Sequence, residues 1–364
     1  MIYLDYQATT PLAPEARAAM LPWLDGVANP HAAHKLGRAA KAALEVARDQ
    51  ISALMPSDGQ VYFTSGATEA LNWAIRSAAG EGGRIIALAT EHAAVLDTVQ
   101  ALSHSHDVTI LPVRADGLVD LDAARTAITS ETALVIAMQV NNEIGVIQPV
   151  DALAELAHVV GARLLCDAVQ GCGRVPLPTK ADYIAVSAHK LHGPIGVGAL
   201  WVRAGAPLSP FMHGGGQEGG QRSGTLSPML CAGFGAAAQL MATRHEADAA
   251  HVAALAARFR AALGPDWILN GSATQRYAGN LNVRRDGLDA ARLISDVREV
   301  AFSAGSACAS GSGRPSHVLR ALGLTEPQAR ASIRLGFGRY TTPDDIDRAA
   351  ALITAAADQQ RSPA

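Results

Sequence analysis

Leu164-Leu165-Cys166-Asp167-Ala168-Val169-Gln170 is a short apolar run that stops on a carboxylate and then turns. A run of this length, bounded by a polar switch, reads as a strand buried on both faces, the mark of a parallel sheet covered by helices. Sheets of that kind collect ligands at the carboxyl ends of their strands, so Asp167 marks one edge as the working edge. Taken alone, Asp167 is read equally well as a cap for the turn that follows it.

Working outward, Arg163–Asp167 is one of seven such segments, with Val61–Thr64, Arg84–Ala89, Thr109–Val113, Ala133–Gln139, Tyr183–Ser187 and Gly198–Val202. Helical patterns separate them over Ala70–Ala79, Asp97–Ser105, Asp122–Ala127 and Asp151–Val160. The alternation predicts an α/β domain built on a mostly parallel seven-stranded sheet. A helix over Gly37–Leu54 precedes it, and an Ala-rich helix over Leu230–Gly264 leaves it, long enough that a bend is expected. Strands near Leu281–Val283 and Ser332–Gly336, with helices over Ala290–Glu299 and Pro343–Gln359 and a further segment Ser316–Leu322, read as a smaller α+β domain. The division expected is residues 13–245 for the large domain, with 1–12 and 246–364 forming the small one.

Composition narrows the function classes. The chain has 364 residues, 49% of them hydrophobic, and a net charge of −3, so it carries no electrostatic footprint for nucleic acid or an anionic membrane. No apolar run approaches membrane-spanning length, and the amino terminus meets an acid at Asp5 with no preceding basic region. Cys166, Cys172, Cys231 and Cys308 show no CxxC spacing, which argues against a zinc site or a disulfide framework. His31 and His34 lack a third ligand, and no metal is expected. A cytoplasmic enzyme is the expectation.

Lysine usage carries more information. Only four lysines stand against twenty-six arginines, and one of them, Lys190, sits in Ser187-Ala188-His189-Lys190-Leu191-His192-Gly193-Pro194. A guanidinium carries charge but never deprotonates and cannot form a Schiff base, so a lysine retained here points to amine chemistry. Such a lysine needs burial or cationic neighbours to lower its pKa, and His189 and His192 are compatible with the second.

The remaining signals differ in weight. Phe63–Glu69 joins a strand to a helix start that suits a phosphate, although the turn alone favours a plain cap. His92, after Thr90-Glu91, could stack on an aromatic cofactor or simply close a helix start. The glycine-rich stretch His213–Thr225 could cradle phosphate or be merely flexible. Cys308 lies in Ser303–Gly313, where every other residue is Gly, Ser or Ala, so it reads as an accessible nucleophile rather than a packed core thiol. Arg334, alone in an apolar strand, needs an anion, either a substrate carboxylate or an internal partner.

Together these segments resemble the pyridoxal-phosphate-dependent cysteine desulfurases of the class V aminotransferase family. The likeness covers nearly the whole chain: Leu4–Pro11, Ser65–Glu69, Asn141–Gly145, Asp167–Gln170, Ser187–Lys190, His213–Thr225 and Ser306-Ala307-Cys308 follow in matching order. It implies the fold type I of these enzymes and a homodimer. It also implies that Lys190 bonds the aldehyde of pyridoxal 5'-phosphate, that Asp167 and Gln170 contact its ring nitrogen and phenolic oxygen, and that His92 stacks on the ring. Ala67, Thr68, Ser187 and His189 would hold the phosphate, with Thr225 reaching that of the other subunit. Asn142 would serve both cofactor and substrate, and Arg334 the substrate carboxylate. Cys308 would take sulfur from L-cysteine, leaving alanine, and pass it to an acceptor such as an iron–sulfur scaffold protein. The Ser-Ala-Cys context is similar to the group serving iron–sulfur assembly; the segment that docks a scaffold in some relatives looks shortened after Pro343–Gln359. A lyase acting on selenocysteine or cysteine sulfinate is the alternative within the same fold.

Overall fold

The computed structural model describes residues 1–305 and 316–360. The chain opens with strand β1 (Ile2–Tyr3) and helices α1 (Pro14–Met20) and α2 (Lys35–Ser52). An alternating series follows: β2 (Gly59–Thr64), α3 (Ala67–Ala79), β3 (Arg84–Leu88), α4 (Ala93–Leu102), β4 (Val108–Leu111) and α5 (Leu121–Ala127). It continues through β5 (Thr132–Met138), α6 (Val150–Val159), β6 (Arg163–Asp167), β7 (Tyr183–Ser187) and β8 (Gly198–Arg203). These strands form one sheet in the order β2-β8-β7-β6-β5-β3-β4, in which only β8 runs antiparallel to its neighbours. All seven strands expected from the sequence are present, with ends moved by a residue or two.

The central strands β6 and β7 are buried along nearly their whole length, as their unbroken apolar runs require. Helices cover both faces. On one side Ile86, Leu88, Val135 and Leu164 pack with Leu153 and Phe234; on the other Ile85, Leu134 and Leu165 pack with Leu71, Trp73 and Ile75 of α3. Fully burying such side chains contributes roughly 1.5–3 kcal/mol each before entropy is set against it. The core therefore fixes the carboxyl edge of the sheet rigidly.

Helix α7 (Pro228–Leu263) crosses from one part of the molecule to the other as a single uninterrupted helix. Its first half buries Cys231, Phe234 and Met241 against the large sheet's core; its second half buries Val252, Leu255 and Phe259 in a separate core. Between them residues 242–247 are exposed. Packing at both ends removes the need for a break.

The second core surrounds β9 (Ile268–Leu269), β10 (Asn280–Arg284), α8 (Ala290–Asp296), β11 (Val300–Ala301) and β12 (Ser303–Ala304). Strand β13 (Ser332–Gly336) and helix α11 (Pro343–Gln359) complete it, while the short helices α9 (His317–Ala321) and α10 (Glu326–Arg330) pack in a separate cluster with Leu118, Ile144 and Val146. The antiparallel sheet runs β12-β13-β10-β9, and β1 pairs in parallel with β11. That pairing explains why α8 stops three residues short of the expected Glu299: Val300 and Ala301 are needed opposite Ile2 and Tyr3.

Candidate active site

The carboxyl ends of β2, β6 and β7 and the turns after β3 and β5 converge on a cavity of about 540 Å³. Ala67, Thr68, His92, Asn142, Asp167, Gln170, Ser187, His189, Lys190 and Arg334 all line it. Thr225 is exposed and lies off this cavity. Cys308 falls outside the described residues.

Lys190 ends a single 3-10 turn, Ala188–Lys190, directly after β7. Its Nζ donates to the carbonyl oxygen of Ala8 at 2.7 Å and to that of Gln7. The turn is fastened from the amino-terminal segment as well. The Thr10 amide and hydroxyl donate to the His189 carbonyl at 2.9 and 2.8 Å, and the His192 amide donates to the Thr10 hydroxyl at 2.8 Å. His192 adopts a positive φ of 65°, which reverses the chain; its buried ring sits edge-on to Tyr6 and Tyr340.

Neither histidine is a cationic neighbour of Lys190. Burial, reinforced for His189 by the Lys190 charge, lowers His189 to about 4, and burial likewise lowers His192 to about 4. Both rings are neutral at pH 7. His189 Nδ1 lies 3.1 Å from the Thr9 hydroxyl.

Asp167 closes β6, is buried, and accepts from the Val169 amide at 3.0 Å. Burial raises its pKa, opposed by that amide and by His92 and Lys190. Its Gln170 neighbour is held at both ends of its amide: Nε2 donates to the Gln7 carbonyl at 2.9 Å and Oε1 accepts from Arg174 at 2.9 Å.

The turn before α3 lies flat on β8. A Cβ at Gly198 would come within 2.8 Å of Gly66 Cα, whereas one at Gly66 would meet nothing within 4 Å, so Gly66 faces open space. Glu69 folds back to accept from the Ser65 amide at 2.7 Å and pairs bidentately with Arg222. Arg222 belongs to the glycine-rich stretch, which is not a loose linker: Glu218 within it grips Arg48 and the Phe63 amide.

His92 fulfils the capping reading and lines the cavity too. Its Nδ1 accepts from the Ala94 amide at 3.0 Å, which assigns the proton of the neutral ring to Nε2. Arg334, fully buried, donates to Asp5 Oδ1 at 2.7 Å, to the Asn142 carbonyl at 3.1 Å and to the Ser303 hydroxyl at 3.3 Å. The internal ion pair is therefore present in an arginine that also lines the cavity. His34, once a metal candidate, accepts from the Gly37 amide at the start of α2, and no metal-ligating cluster occurs among the described residues.

Sequence reasoning missed several contributors. The Gln7 and Ala8 carbonyls approach Lys190 across more than 180 residues, a contact no local pattern encodes. Glu91, wholly buried, accepts from the Met138 amide at 2.7 Å; burial pushes it up to about 8, with Asp167 adding to the rise. Arg174 follows Gln170 by four residues, a spacing that could have flagged it.

On both sides of residues 306–315 the chain is anchored by the cavity. Ser303 pairs with Arg334, the Ser316 hydroxyl donates to Glu143, and His317 Nε2 lies 2.9 Å from the Glu91 carbonyl. Among the described residues no helix is long and apolar enough to cross a membrane.

The family model "Aminotransferase class-V" matches residues 2–349. "Cysteine desulfurase IscS" of Rickettsia bellii is 42% identical, covering 97% of this chain and 90% of that protein; its counterpart in Rickettsia typhi is 41% identical, covering 99% and 92%. Among solved structures, a "NifS-like protein" superposes with a TM-score of 0.91 at 29% identity, covering 98% of this chain and 99% of that one. "SspA in complex with cysteine" superposes at 0.84 with 33% identity, covering 94% and 100%. A match of this extent, on a chain whose motifs meet at one cavity, means that the chain belongs to the class-V aminotransferase family and, within it, to the cysteine desulfurases.

Proposed function

We propose that this enzyme uses pyridoxal 5'-phosphate at the Lys190 cavity to remove sulfur from L-cysteine, releasing L-alanine and collecting the sulfur on Cys308 as a persulfide. The observation that carries this reading is the convergence of Lys190, Asp167, His92 and Arg334 on one cavity at the carboxyl edge of the sheet.

The residues present fit such a cofactor. Gly66 leaves open space before α3, suited to an anion over free amides. The buried Asp167 carboxylate has its pKa raised by lack of solvent, so a cationic ring nitrogen is its natural complement. Ala67, Thr68, Ser187 and His189 would hold the phosphate, and Asp167 and Gln170 the ring nitrogen and phenolic oxygen. His92 would stack on the ring, with Asn142 beside it. When bound, pyridoxal phosphate supplies an electron sink that loosens the Cβ–S bond of the substrate.

The chain's own groups do the rest. Arg334 and Asn142 bind and orient the substrate, the arginine through its carboxylate. Lys190, held by two carbonyls, is positioned as amine and proton carrier. His92 can move a proton only at Nε2, because Nδ1 is committed to the Ala94 amide. The neutral His189 adds no second charge beside Lys190.

Thr225, exposed and away from its own chain's cavity, has the disposition expected of a residue completing the site of a second copy, which supports a homodimer. We further read the domain division as 13–245 against 1–12 with 246–364, the location as cytoplasmic, and the acceptor as a protein such as an iron–sulfur scaffold. The desulfurase names of the relatives favour this over a lyase for selenocysteine or cysteine sulfinate. The test is alanine release from L-cysteine by the holoprotein and by Cys308→Ala: loss of turnover with the visible band intact supports the desulfurase, and full turnover without the thiol overturns it.

A further inference from the structure

Arg174 does not line the cavity, yet it holds two residues that do. Its Nη1 donates to Gln170 Oε1 at 2.9 Å and to the Gln170 carbonyl at 3.2 Å, while Nη2 donates to the Lys190 carbonyl at 2.6 Å. The guanidinium lies 5.4 Å from the centroid of the Tyr277 ring, which fixes its plane.

A guanidinium has donors only, so it can engage only the oxygen end of the Gln170 amide. The nitrogen end is thereby turned to the Gln7 carbonyl at 2.9 Å, and one N–H of that amide is left over on a side chain that lines the cavity. An unconstrained amide could offer either an acceptor or a donor. This one offers a donor, in a place that Arg174 ties to the backbone of Lys190.

We propose that Arg174 is a positioning residue that sets the hydrogen-bond polarity of Gln170 and its register with Lys190. The inference rests on the reading of this cavity as a pyridoxal-phosphate site. A donor delivered to the cofactor's phenolic oxygen stabilises its anionic form and weakens the oxygen's hold on the proton of the neighbouring Lys190-linked nitrogen. That nitrogen then loses its proton at lower pH.

The experiment titrates the visible band of the holoprotein against pH and measures the Kd of pyridoxal phosphate for the apoprotein, in Arg174→Met, Arg174→Lys, Gln170→Leu and the Arg174→Met/Gln170→Leu pair. In Arg174→Met the band's pKa should rise by about one pH unit, the scale expected of one hydrogen bond to a charged group, with cofactor affinity falling several-fold. Arg174→Lys, which keeps a donor, should shift in the same direction by less. On the Gln170→Leu background, Arg174→Met should add no further shift, since it acts through the amide. Should Arg174→Met fail to fold, Arg174→Lys and Gln170→Leu suffice, and wild-type titrations in both would overturn the proposal. An unmoved band with a lowered Tm would make Arg174 merely structural and overturn this inference alone. A wild-type holoprotein with no Lys190-linked band would overturn the cofactor reading along with it.

Discussion

Arg334 and Asp5 form an ion pair of 2.7 Å between residues 329 positions apart in the chain. It joins the last strand of the small antiparallel sheet to the segment that also holds Lys190. Arg334 Nε is buried with no hydrogen-bond partner among the described residues. The side chain thus has an internal anion and unspent donor capacity together. Arg334→Ala should raise KM for L-cysteine at least tenfold, because a hydrogen bond to a charged group contributes roughly 1.5–3 kcal/mol. It should also lower Tm, since breaking a buried pair strands Asp5. Steady-state kinetics with thermal unfolding separate the effects: an unmoved KM with a lowered Tm would assign Arg334 to the fold alone.

Glu91 offers a pH test. Its ordinary pKa of 4.5 is raised to about 8 in the folded protein, chiefly by burial. The folded state therefore holds this proton more tightly than the unfolded chain. That stabilisation is complete below about pH 4.5 and is lost as pH rises towards 8. Glu91→Gln keeps an oxygen for the Met138 amide and has no proton to lose. It should match the wild type near pH 4.5 and exceed it by about 1–3 kcal/mol near pH 8. Denaturant unfolding at the two pH values checks this, and parallel curves for the two proteins would refute it.

Gly198→Ala should disturb the turn before α3 through contact alone. The added Cβ would sit 2.7 Å from the Val186 carbonyl and 2.8 Å from the Gly66 backbone, and neither is a flexible side-chain end. Overpacking of this kind costs about 1–3 kcal/mol. The expected result is a lower Tm and weaker pyridoxal phosphate binding, read by fluorescence titration of the apoprotein. Wild-type affinity would mean that the turn yields without consequence.

Lys190→Ala should abolish the visible band of the holoprotein while leaving the Thr10 contacts to the His189 carbonyl in place. Circular dichroism should remain native and the spectrum should become that of free cofactor. Borohydride labelling at a different residue would refute the assignment.

The large sheet was legible because its strands are built on short, mostly apolar runs between polar turns. Two-residue strands such as β1, β9, β11 and β12 have no periodicity to read and exist only through their pairing with other strands. Helix α1 was missed although Pro14 marks its first turn. Residue type exposed Lys190 and Asp167, but not what surrounds them. The neutral state of His189, the Asp5 partner of Arg334 and the Arg174 clamp on Gln170 are products of tertiary packing.

Three of the four cysteines are shut away. Cys166, Cys172 and Cys231 are buried, and the lack of solvent pushes Cys172 and Cys231 up to about 12 and Cys166 well above its usual value. None is a thiolate at neutral pH, and none is within reach of an alkylating reagent while the fold holds. Labelling stoichiometry thereby becomes a direct gauge: none of these three thiols should take up iodoacetamide in the native protein, and all three should on denaturation. Sulfur added to the native protein during turnover should therefore not be found on any of these three thiols.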